Sequence, residues 1–163
     1  MPLTPFHLAA GLPVRRWISL KAFILVNLLI DIEPAGVLFF NMDSLGYPIH
    51  GWTHTLEGVL FFCVPLVIAA FFMKKDNTPW LVGTFWGAFS HLILDGLVHP
   101  DMHPFGGAGN PLYFDLYHEV SLVCAAILTY YLAKWVESLG VGKPGTGRIR
   151  NLWRRFFPGT PSE

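Results

Sequence analysis

Charge is what this sequence has least of. Only 13% of its 163 residues are Asp, Glu, Lys or Arg, where a soluble domain carries about 25%, and a solvated outer surface is hard to build from so few. The charges balance, 11 basic against 11 acidic, which leaves no electropositive face to attract nucleic acid. Cysteine is scarce too. Cys63 and Cys124 stand singly in apolar runs, so no Cys-x-x-Cys spacing exists for a zinc ribbon or a dithiol, and both read as small core residues. Gly-x-Ser-x-Gly, P-loop and dinucleotide fingerprints are missing, which argues against the enzyme classes built on them. A secretory signal is not indicated either. In residues 1–17 the basic pair Arg15 and Arg16 follows the apolar stretch instead of preceding it, the reverse of a signal peptide.

What is abundant is apolar: 53% hydrophobic and 15% aromatic residues. Four stretches, about 18–40, 56–73, 79–98 and 114–136, approach the ~20 residues a helix needs to cross a bilayer. The expectation is an all-α fold, an integral membrane four-helix bundle with a short N-terminal re-entrant or interfacial segment. Residues 1–137 form one membrane-embedded domain and 138–163 a basic cytoplasmic tail. The first span is imperfect, because Asp31 and Glu33 interrupt it and Pro34 removes a backbone donor and favours a kink. Thr78 before Pro79 reads as an N-cap ahead of a proline at the first helical position. Every Lys and Arg lies near the start of span one, between spans two and three, or at and after the end of span four. Loops 41–54 and 100–114 contain none. By the positive-inside rule both termini are cytoplasmic and those two loops face outward, in an inner-membrane protein.

Span three carries the chemistry. Gly83, Gly87, His91, Asp95 and His99 recur every four residues, the spacing of one helical face. The lower half of that stripe is Gly-xxx-Gly, which lets another helix approach closely. The upper half is imidazole and carboxylate, both metal-ligand types, and ionisable groups inside a span usually mark function. Counting 1.5 Å per residue, Asp31 lies roughly 20 Å up span one and His91 roughly 18 Å up span three. His54 and Glu57 open span two from the outside, and Asp115, His118 and Glu119 open span four. Each alone has a plainer reading: His54 and His118 as interfacial residues, Glu57 as a favourable helix start, His99 and His103 as solvated loop residues. Four helices placing such groups in one slab point instead to a metal site. Asp31, His54, His91 and Asp95 are the primary candidates, Glu33 and His50 come next, and His118 with Glu119 could complete the shell. Whether His99, Asp101 and His103 join is left open. Mixed imidazole and carboxylate ligands suit zinc or manganese, and their number suggests two ions. Glu33 or Asp31, where not used by metal, would act as general base.

His7 with Gly11, Asp31-x-Glu33, His50-Gly51-x-Thr53-His54-Thr55 and Ser90-His91-xxx-Asp95 together resemble the membrane-bound, metal-dependent hydrolases of bacteria and archaea, including the LexA-regulated inner-membrane type. The likeness covers residues 3–120. That family commonly has a second aspartate where Glu33 stands, an arginine after the first histidine of the motif, and a serine in place of Thr55. The resemblance implies that His7 is a ligand as well, which requires residues 3–12 to re-enter the bilayer. A fainter likeness is to zinc-dependent phospholipase C, by which Asp31 would bridge two metals. The expected function is a metal-dependent hydrolase acting at the outer leaflet on a lipid or phosphoester, with membrane lipid as its surroundings. A divalent-metal transporter is the alternative. An iron hydroxylase or desaturase fits less well, because no His-x-x-His-His box is present.

Overall fold

A computed structural model describes residues 4–40, 49–72, 77–107 and 109–139. The expected loop residues 41–48, the polar turn at 74–76 and the tail from 140 onward lie outside the described residues. All regular structure among the described residues is helical: α1 (Thr4–Gly11), α2 (Leu20–Ile30), α3 (Ile32–Phe39), α4 (Leu56–Phe71), α5 (Thr78–Val98) and α6 (Tyr117–Ser138), with a single 3-10 turn at Trp52–His54. The chain divides into two compact units, Met1–Leu128 and Thr129–Glu163.

The helix boundaries follow local chemistry. Ser19 caps α2, its Oγ accepting from the Ala22 N–H at 3.4 Å. Thr55 caps α4 by accepting from the Gly58 N–H at 3.1 Å while its own hydroxyl donates to the Trp52 carbonyl at 2.8 Å. Proline stands in the first turn of α5, and the helix begins at Thr78 itself, one residue earlier than the capping pattern suggests. α2 and α3 are two halves of one apolar segment bent by 44°. The bend sits at Asp31, between the halves, three residues before the proline. Pro34 has no N–H to give the Ile30 carbonyl, so the ladder breaks there.

In the first unit α5 packs against α2, α4 and α1. Val26, Ile30, Val59, Cys63, Leu66, Ala88 and Leu92 fill the space between α2, α4 and α5, and Met102 closes it from the following loop. The Gly-xxx-Gly half of the stripe does serve close approach. A Cβ at Gly83 would lie 2.5 Å from the Ser19 carbonyl oxygen, and one at Gly87 would lie 2.5 Å from Val26 Cγ1 and 3.0 Å from the Phe23 oxygen. The upper half of the same stripe is thereby set directly over α2. In the second unit the described chain is the remainder of α6 and Leu139, where Lys134 Nζ pairs with Glu137 Oε2 at 3.0 Å.

Two helices, α5 and α6, are long and apolar enough to cross a membrane, and a third span results if the bent α2–α3 pair counts as one. α4 is apolar but has 16 residues, about 24 Å of helix. Four full-length spans were expected, so the described helices support two or three by length and composition.

Candidate metal centre

Four expected ligands meet at one point. Asp31 comes from the α2–α3 bend, His54 from the 3-10 turn before α4, and His91 and Asp95 from consecutive turns of α5. His54 and His91 are buried, and the Asp95 side chain is 4% exposed. Asp31, at 22%, is the one that reaches solvent.

Most of the separations match those of a coordination shell. Ligand atoms about 2.0–2.1 Å from a tetrahedral zinc ion stand about 3.3 Å from one another. His54 Nε2 and His91 Nε2 are 3.2 Å apart. Asp95 Oδ2 is 3.3 Å from the first and 3.2 Å from the second. Asp31 Oδ1 is 3.4 Å from His91 Nε2 and 3.9 Å from His54 Nε2.

Surrounding groups fix which nitrogens carry protons. Asn27 Nδ2 donates to the Phe23 carbonyl at 2.7 Å, which turns its Oδ1 toward His91 Nδ1 at 2.8 Å. An acceptor there requires the His91 proton on Nδ1. Thr53 donates both its backbone N–H and its hydroxyl to Glu33 Oε2, each at 2.8 Å. With that hydroxyl proton committed, Thr53 Oγ1 accepts from His54 Nδ1 at 3.0 Å. As neutral rings, both imidazoles turn an unprotonated Nε2 toward each other and toward two carboxylates. Lone pairs and anions at such distances repel, and burial away from water makes the repulsion stronger. A cation among them turns the same arrangement into a favourable one, and outer-shell acceptors behind ligand histidines are the usual way such rings are oriented. The four residues could hold a metal ion.

The other expected ligands lie outside this group of four, some of them against it. Glu33 is not beside the four; its carboxylate holds the Thr53 turn, packed so closely on Gly51 that a Cβ there would overlap Oε1. His7 stacks on His91, ring centroids 3.9 Å apart, and its Nε2 lies 3.1 Å from Asp95 Oδ1, the oxygen turned away from the other ligands. Its Nδ1 is buried with no partner among the described residues. His118 and Glu119 are exposed at the start of α6, and neither belongs to a group of clustered ligand-type residues. Asn27 was not among the expected residues at all.

His50 belongs to a second group, with His99 and Asp101. His50 Nδ1 lies 2.9 Å from Asp101 Oδ2, and the His50 and His99 rings are 4.1 Å apart between centroids. The group adjoins the first: the His50 ring stands edge-on to His54 at 5.0 Å. Burial pushes the His99 imidazole down to about 4, with the neighbouring His50 adding to the effect. Burial alone would raise Asp101, but the hydrogen bond and charge of His50 more than offset it and hold the carboxyl below its usual range. His103 is in neither group; its Nδ1 accepts from the Gly109 N–H at 3.1 Å. Beside the turn that carries His54, a cleft of about 280 Å³ is lined by Trp52, Leu56, Glu57, Pro104 and Phe105, among others.

No family model, curated protein or solved structure matches the chain.

Proposed function

We propose that this protein is a membrane-embedded, divalent-metal-dependent hydrolase of lipid or other phosphoesters, with zinc or manganese held by His54, His91, Asp95 and Asp31. The observation that carries the reading is the pair of Nε2 atoms 3.2 Å apart beside two carboxylates. A cation held there would supply Lewis acidity toward a phosphoester oxygen and lower the pKa of bound water. Of the two carboxylates expected to serve as base, Glu33 is engaged by Thr53. The role falls to Asp31, the one carboxylate of the group that reaches solvent; as base it would leave His54, His91 and Asp95 as the lasting ligands and the fourth position to water. The aromatic and apolar lining of the Trp52–Phe105 cleft suits an acyl chain or other lipid portion of the substrate.

In this reading α2–α3 forms one span and α4 another, completing a four-helix membrane bundle with α5 and α6. Both termini are cytoplasmic, because loops 41–54 and 100–114 lack every Lys and Arg. His91 and Asp95 lie in the last two turns of α5, within about 10 Å of its C-terminal end, so the site faces the outer leaflet. A divalent-metal transporter would be better served by ligands at the midplane. α1 packs on α5 and α2, which fits a re-entrant segment buried by protein.

The test is hydrolysis of phosphomonoesters, phosphodiesters and phospholipids by the zinc- or manganese-loaded protein in detergent. Metal-dependent turnover that Asp31→Asn abolishes while metal stays bound supports the reading. Bound metal with no turnover of any of these, and metal flux across proteoliposomes, would replace it with the transporter.

A further inference from the structure

The group of His50, His99 and Asp101 is not needed to position the first. None of the three hydrogen-bonds to Asp31, His54, His91 or Asp95 among the contacts seen, and Thr53 and Asn27 already orient the two ligand histidines. Its own geometry is unusual for a merely structural cluster. One ligand atom from each residue lies within 4.8 Å of the other two. His99 Nε2 is buried and has no partner among the described residues, a cost that folded proteins seldom leave standing. The two rings meet at 4.1 Å and 33°, with no hydrogen bond between them. The backbone nevertheless holds this arrangement firmly: the Asn110 side-chain amide donates to the carbonyls of both Gly96 and His99 at 2.7 Å. His99 is thus tied to the end of α5, where it continues the stripe of His91 and Asp95.

We infer that His50, His99 and Asp101 form a second divalent-cation seat beside the first. Two imidazoles and one carboxylate are a borderline-metal donor set, the same chemistry as the first group. His50 is 6% exposed and Asp101 49%, and His99 is half-buried with its Nε2 out of reach of water, so the seat is buried on one side and open to water on the other. Three protein ligands with open positions toward solvent is the pattern of an exchangeable site, able to take a phosphate oxygen as a further ligand. The inference deepens the hydrolase reading and rests on it for its purpose: adjacent cations clamp a phosphoester from two sides.

Dialysis of the full chain in detergent against zinc, followed by metal analysis, tests the second seat without an activity assay. Wild type is expected to hold two zinc ions per chain, and Asp101→Asn and His99→Ala one each. Asp101→Asn replaces a half-exposed side chain and leaves folding intact, so its result stands even where His99→Ala disturbs the α5 end. Equal zinc content in wild type and both variants overturns the inference. His91→Ala separates the two readings. Zinc lost in His91→Ala and not in Asp101→Asn leaves the first site alone and sinks the second; the reverse leaves the second seat standing and removes the first.

Discussion

The two ligand groups stand side by side and use the same donor chemistry, yet differ in what lies behind them. Behind the first group every ring nitrogen not aimed at the centre is engaged: His91 by Asn27, His54 by Thr53, and Thr53 in turn by Glu33. Asp95 splits its oxygens, one toward the centre and one toward His7. In the second group His50 spends its Nδ1 on Asp101 itself, His99 leaves Nε2 without a partner, and Asp101 is half in water. Residue type makes both groups eligible for a cation, and the outer shell decides how firmly one is held. In the proposed reading the first would bind a cation tightly and the second would exchange it.

The harshest way to break this contrast is to remove a centre ligand. Asp95→Ala takes away an anion that faces two imidazoles at 3.2–3.3 Å. Metal analysis should show the tightly held ion gone, with far-ultraviolet circular dichroism unchanged, because helix backbone bonds are internal to each span. Retention of a tightly bound ion would place the site elsewhere.

The next largest effect belongs to the outer shell. Asn27→Ala and Glu33→Gln should each weaken zinc binding in the first group by about 10–100-fold, measured by competition with a chelator. Gly51→Ala should act in the same direction, since its new Cβ would displace the Glu33 carboxylate. If these variants bind zinc as wild type does, the difference between the groups is not one of preorganisation.

These residues also mark the limit of what the sequence made legible. The four-residue repeat of Gly83, Gly87, His91 and Asp95 identified both the helix contact and two ligands, because one helical face is a local property. Asp31 and His54 were identified by type and depth. Glu33 was read as a ligand because a carboxylate in an apolar run demands a partner; that the partner is Thr53, twenty residues on, depends on where a turn lands. Asn27 passed unnoticed, although a lone amide one turn before Asp31 in an apolar run was its signal. His118 and Glu119 lie outside both groups; apolar residues surround α6 on most sides, so nothing in the pattern fixed its rotation. Helix type and approximate bounds were legible throughout, whereas the bend at Asp31 came one turn ahead of the proline that causes it.

A smaller change sharpens the comparison at the inner edge. His7→Phe keeps an aromatic ring against His91 but removes the contact to Asp95 Oδ1. Zinc affinity should fall by about 10-fold, the lower end of outer-shell effects, with no ion lost at saturating metal. Complete loss of the ion would make His7 a ligand in its own right. Smallest of all, His118→Ala with Glu119→Gln should leave zinc content and affinity unchanged, since both side chains are exposed and outside either group.

The most direct measurement is zinc-edge X-ray absorption on the Asp101→Asn variant, loaded with zinc and dialysed so that only the tightly held ion remains. A first shell of nitrogen and oxygen at about 2.0–2.1 Å, with outer-shell scattering from two imidazoles, is the expected spectrum. A dialysed protein that retains no zinc, or zinc with no imidazole scattering, would mean that His54 and His91 do not meet over a metal ion.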